Sequence, residues 1–234
     1  MNDLKEILSL CATHDRAAAI EQIARQPDAT NPAKTFLEVM RHFYWKAKDL
    51  PAAITFGQAG AHFALFSATR VDATDPALAH QFRSTAKGLY YDLASFTWPG
   101  WDEPGITISP GELEIGQDAA RANLRLAHEL KKGDLPLSRG FWMLAGHEMC
   151  TGEFDAARQS YHNAVRHAHA AGSKPEQLLA EGFVRLTELL DAKTTGPDAE
   201  LDSILDRLKP LENGPDFVQQ IETARAVFNR TQAP

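Results

Sequence analysis

Apolar residues recur every three and four positions along this chain rather than alternately, the spacing of one buried helix face. In FDAARQSYHNAVRHA, Phe154, Ala157, Tyr161, Ala164, Val165 and Ala168 form one continuous stripe. Phe217, Val218, Ile221, Ala224 and Phe228 repeat that pattern near the C-terminus. Strand-like alternation is nearly absent. The pattern predicts an all-α fold with helices over about 3–12, 15–26, 32–48, 51–68, 75–96, 110–132, 136–151, 153–171, 174–192, 197–208 and 214–230.

Capping chemistry supports these divisions. Asn31-Pro32 and Ser109-Pro110 each place a capping residue before a proline at the first helical position, and Glu112 completes a capping box with Ser109. Gly133-Asp134, Gly152, Gly172-Ser173 and Gly196-Pro197 read as breaks, whereas Gly57 and Gly60 inside a helix read as points of close helix packing. Most links are short, as neighbouring antiparallel helices require. Only one, 97–109, is long. It is rich in proline and glycine, yet carries Trp98 and Trp101, two of the four tryptophans.

Helical hairpins at a roughly constant period suggest a repeat architecture. The segment FWMLAGHEMCTGEFDAARQSYHNAV resembles a tetratricopeptide repeat, with Phe141, Leu144, Ala145, Gly152, Phe154, Ala157, Tyr161 and Ala164 at the positions of that pattern. It departs from the pattern at Glu148, where an aromatic is usual, and at His169, where a proline is usual. FLEVMRHFYWKAKDLPAAITFGQAGA is a weaker copy through Leu37, Met40, Tyr44, Leu50, Ala53 and Gly60. In it Arg41 replaces the small residue and Lys48 the turn glycine. The resemblance implies a single domain over 1–234: a right-handed solenoid of about five antiparallel hairpins plus a terminal helix, with the 97–109 loop as an insertion.

Proteins of this kind commonly bind peptides in a concave groove lined by the first helix of each hairpin. The resemblance places Arg139, Trp142, Gly146 and Met149 on that surface from the stronger repeat, and Glu38, His42, Trp45 and Lys46 from the weaker one. Trp98 and Trp101 would then meet the helical indoles if the loop folds back across the groove, as a lid, a ligand contact or a packing plug. All four tryptophans are expected to point toward one place.

Charge refines the kind of ligand. The net charge is −7; residues 1–100 balance ten acids with ten bases, and the remainder holds 21 acids against 14 bases. Between Lys87 and Arg121 there is no Lys or Arg, while Asp92, Asp102, Glu103, Glu112, Glu114 and Asp118 fall in that window. Carboxylates and indole faces both attract cations, so Asp102 and Glu103 join the candidate ligand contacts for a basic peptide or protein segment. No clustered Lys/Arg surface suggests nucleic acid, and no apolar run suggests a membrane span. Two cysteines, Cys11 and Cys150, and an N-terminus without the pattern of a signal peptide point to a reducing cytoplasm. Phosphate-loop, dinucleotide and serine-elbow motifs are missing. The pair His147 and Cys150 in GHEMC lacks the further ligands of a metal site, and His162, His167 and His169 are scattered charge. The sequence therefore reads as a non-catalytic binding or scaffold module without a cofactor. Its alternatives are a small-molecule sensor with an enclosed aromatic pocket and an enzyme with an unrecognised site.

Overall fold

The computed structural model describes residues 2–12, 15–26 and 31–232. Among them the chain forms eleven α-helices and no strand: α1 (Asn2–Ala12), α2 (Arg16–Ala24), α3 (Asn31–His42), α4 (Leu50–Val71), α5 (Pro76–Phe96), α6 (Pro110–Glu129), α7 (Asp134–Cys150), α8 (Phe154–Ala170), α9 (Lys174–Asp191), α10 (Ala199–Leu208) and α11 (Gly214–Gln232). A π-helical turn, Phe43–Ala47, follows α3, and a 3-10 turn, Pro99–Trp101, lies between α5 and α6. The chain divides into two compact units, Met1–Phe96 and Thr97–Pro234.

In the first unit α3 packs on α4 and α4 on α5. The approach is close because α4 presents glycines at the contacts. A Cβ on Gly60 would lie 2.6 Å from Phe36 Cβ in α3 and 3.2 Å from Leu89 in α5; one on Gly57 would lie 2.6 Å from Met40 Sδ. The helix expected over 32–48 does not stay α-helical. Phe43–Ala47 form the π turn, and Lys48 takes the left-handed conformation, φ 55°. The Asp49 N–H then donates to the Phe43 carbonyl at 2.9 Å. Asp49 in turn caps α4 by accepting from the Ala52 N–H at 2.9 Å, and pairs with Arg16 of α2 at 2.7 Å. The expected cap at Asn31 lies outside the described side chains.

In the second unit each helix from α6 to α10 packs on the next, and α11 packs on α9 and on the 3-10 turn. The capping box forms as expected: Ser109 N–H donates to Glu112 Oε2 at 2.7 Å, and Ser109 Oγ accepts from the Glu112 N–H. α6, α7, α8 and α9 end alike, with an N–H reaching back five residues: Lys132 to Ala127, Glu153 to Glu148, Ser173 to Ala168 and Thr194 to Leu189. The residue before each donor is left-handed. It is Gly152 and Gly172 in two cases, but Lys131 and Lys193 in the others. The breaks expected at Gly133-Asp134 and Gly196-Pro197 fall between α6 and α7 and between α9 and α10, and Gly133 directly precedes α7 in an extended conformation. Asp198 caps α10 through the Leu201 N–H and binds Arg185 of α9 at 2.6 Å. The Arg185 guanidinium holds the Asp198 carboxyl well below the usual carboxylate range.

The two glycines of α4 make different demands. Phe36 Cβ belongs to the stem of its side chain and cannot swing aside, whereas Met40 Sδ lies along a flexible one. Gly60→Ala should therefore lower the unfolding free energy by about 1–3 kcal/mol. Gly57→Ala should change it by less than about 1 kcal/mol, because the gain in helix propensity offsets a small shift of Met40. Denaturant unfolding of the two variants checks the contrast.

Candidate functional site

The long connection turns inward at its first residues. Trp98 leaves α5 in an extended conformation, the chain closes the 3-10 turn, and Asp102 ends it left-handed with φ 51°. Trp98 is 1% exposed. Its ring meets Trp101 at 4.9 Å between centroids, Trp142 of α7 at 5.2 Å, Phe183 of α9 at 5.9 Å and Phe228 of α11 at 6.4 Å. Most of these contacts are edge-on or tilted, the geometry that aromatic quadrupoles favour. Room for the indole comes from two glycines. A Cβ on Gly146 would lie 2.9 Å from Trp98 Nε1, and one on Gly100 would overlap the six-membered ring. The buried Nε1–H has no hydrogen-bond partner, and it lies close enough to the Cys150 thiol to lower in part a pKa that burial pushes up.

Three of the four indoles thus come together, those of Trp98, Trp101 and Trp142. Trp45 does not join them in this unit. It belongs to the first unit, where it is 49% exposed, edge-on to Tyr44 and Phe96, with Lys48 Nζ 5.7 Å from its ring. The π turn ends the α-helical register on which the expected groove position of Trp45 depends. Beside Trp45 on that segment, Glu38 and Lys46 are exposed and His42 is half-buried against Phe43.

The α7 residues assigned to an open groove are instead largely core. Trp142 is 6% exposed, Met149 is buried with its sulfur 3.4 Å from Thr187 Oγ1, and Gly146 lies under Trp98. The loop's own indoles cover Trp142, and Trp98 covers Gly146. Arg139 is exposed but engaged, pairing with Glu176 of α9 at 2.6 Å. His147 and Glu148 of GHEMC are buried as well, and Cys150 is half-buried. His147 packs where α6 presents Gly116 and where Thr97 enters, and Glu148 faces α8 near Ser160. Burial raises the Glu148 pKa, and Oε2 has no hydrogen-bond partner. Among the described residues no three His, Cys, Asp or Glu side chains converge as metal ligands.

Trp101 differs from its neighbours in being half-buried. With Gly100 it forms one wall of a groove of about 280 Å³, completed by Asp216, Gln219, Gln220 and Thr223 of α11. The groove offers an aromatic face, one carboxylate and two amides. Asp102, next in the chain, is exposed and bonded to Arg230 at 2.7 Å, and Glu103 is half-buried. The α11 residues escaped the sequence reading because they occupy the polar side of a helix whose apolar stripe drew attention. A larger groove of about 390 Å³ lies among α8, α9 and α10. Its central Arg185 is committed to Asp198 and Glu188, so its charges are largely matched internally.

No protein-family model matches the chain, and no curated protein matches it in sequence. Among the described residues no helix is long and apolar enough to cross a membrane.

Two outcomes follow from these environments. Trp98→Ala removes a ring enclosed on every side and should cost about 3–5 kcal/mol of stability, whereas Trp101→Ala should cost about 1 kcal/mol, both read from chemical unfolding. Glu148 carries a folded-state pKa above its ordinary value, so its carboxylate opposes folding once pH exceeds that value. Glu148→Gln should raise Tm at pH 7, and the advantage should shrink to nothing as pH falls below about 4.3, where the unfolded chain also holds the proton. A Tm series from pH 3 to 8 checks both sign and window.

Proposed function

We propose that this chain is a non-catalytic binding module, built as an irregular tetratricopeptide-like stack of helical hairpins, that takes a basic peptide or protein segment beside Trp101. The burial of Ala145, Ala157 and Ala164, with Tyr161, at the α7–α8 contact supports the repeat reading, since small residues at those positions let paired helices approach. The observation that carries the binding reading is the Trp101 groove. One half-buried indole of an otherwise sealed aromatic cluster faces Asp216, Gln219, Gln220 and Thr223. A Lys or Arg side chain fits this chemistry. Its alkyl stem covers indole, its cation meets the ring face and a carboxylate, and the amides satisfy remaining N–H groups. The sealed part of the cluster serves as a rigid backing for the contact, which limits the ordering required on binding.

In this reading the inner face expected to receive the peptide is already filled by Trp98, and the ligand lies at its rim. Synthetic peptides bearing two or three arginines, paired with glutamate-substituted counterparts, provide the test by calorimetry. The arginine peptides should bind selectively, and Trp101→Ala or Asp216→Asn should weaken them about tenfold, equivalent to roughly 1.4 kcal/mol, with Tm changed by only a few degrees. Equal binding by the glutamate peptides, or full binding by both variants, would count against the proposal.

A further inference from the structure

The acids of the long connection must find their cation elsewhere, since residues 88–120 contain neither Lys nor Arg. Asp102 finds it in Arg230, which lies 128 positions away in the final turns of α11. The Nη2 to Oδ2 distance is 2.7 Å, with the two side chains 62% and 52% exposed. An ion pair this exposed adds little to stability and is weakened by salt. Its location is more informative than its strength. Asp102 follows Trp101 directly, and α11 also supplies Asp216, Gln219, Gln220 and Thr223 to the groove. Phe228, two residues before Arg230, packs on the Trp98 ring and fixes that end of the helix against the loop. The left-handed backbone of Asp102, a conformation Asp tolerates better than most residues, ends the 3-10 turn that carries Trp101.

We infer that Arg230 is an internal stand-in for the ligand: its guanidinium occupies Asp102 until an arginine of the bound segment displaces it. The inference rests on the basic-segment reading and narrows it to guanidinium recognition at Asp102 beside Trp101. Arg230 uses one N–H on Asp102, whereas a guanidinium free to orient can present two parallel N–H donors to a carboxylate, which a lysine ammonium cannot do, so an incoming arginine can replace Arg230 with at least as many bonds. While Arg230 holds the carboxylate, only the fraction of molecules with that pair open offers Asp102 to a ligand, and apparent affinity falls by that fraction.

The experiment is a double-mutant cycle read by calorimetry at low salt with acetyl-Gly-Arg-Gly-Arg-Gly-amide. The variants are Arg230→Gln, Asp102→Asn and the two combined, each in the full chain. Arg230→Gln should bind the peptide about two- to sixfold more tightly than wild type, the gain expected from releasing a pair of this exposure. Asp102→Asn in the combined variant should abolish that gain, which separates release of Asp102 from a general loss of positive charge. Binding by wild type with no gain in Arg230→Gln, or a gain that survives Asp102→Asn, overturns the inference and leaves the basic-segment reading standing. If neither wild type nor Arg230→Gln binds the peptide, the basic-segment reading itself fails. The exposed positions of both side chains keep all four proteins foldable, and matching Tm values confirm it.

Discussion

The second unit is organised around one steric constraint: the Trp98 ring fits only where Gly146 and Gly100 leave out a side chain. Around that indole stand Trp142 of α7, Phe183 of α9 and Phe228 of α11, so residues far apart in sequence share one contact. Phe183 is itself stacked by Tyr161 of α8 at 5.4 Å, which ties a fourth helix to the same centre. Hydrophobic transfer alone would favour burying this much aromatic surface, but it is non-directional. The missing Cβ atoms supply the direction, because they fix where the loop enters and therefore where Trp101 and Asp102 emerge.

Burial in this unit also carries a polar cost. Glu148, His147, Thr97, Gln117, Asn123, Ser138, Ser160 and Thr187 are all buried polar residues of Thr97–Pro234. Several are matched: Ser138 donates to the Ala164 carbonyl at 2.9 Å and Thr187 to that of Phe183 at 2.7 Å. Glu148 is not fully matched: burial raises its carboxyl pKa, and Oε2 has no hydrogen-bond partner.

The helices were legible in the sequence because their signals are local. Stripes such as Phe154–Ala168, the Ser109–Glu112 box and prolines at helix starts each act within a few residues. The ends at Lys131 and Lys193 were harder to read, since a left-handed lysine carries no compositional mark and is held by the five-residue hydrogen bond closing the helix. The π turn was similarly silent. For the site, the sequence revealed the aromatic and acidic character of the loop but not which indole would be enclosed. Trp98 and Trp101 lie three residues apart in the same composition. What separates them is Gly146 below one and the polar side of α11 beside the other, and both depend on tertiary packing. Arg230 was invisible for the same reason: nothing local links the last helix to residue 102.

The distribution of tryptophans gives each compact unit its own optical signature. The first unit holds a single, half-exposed indole at Trp45, whose emission senses water and the nearby Lys48 ammonium. The second holds three indoles within 4.9–6.1 Å of one another, close enough for their excited states to couple and to give strong near-ultraviolet dichroism. Dichroism from the triplet therefore reports the tertiary packing of the second unit without any attached dye, while the half-exposed Trp45 adds a red-shifted share to the emission.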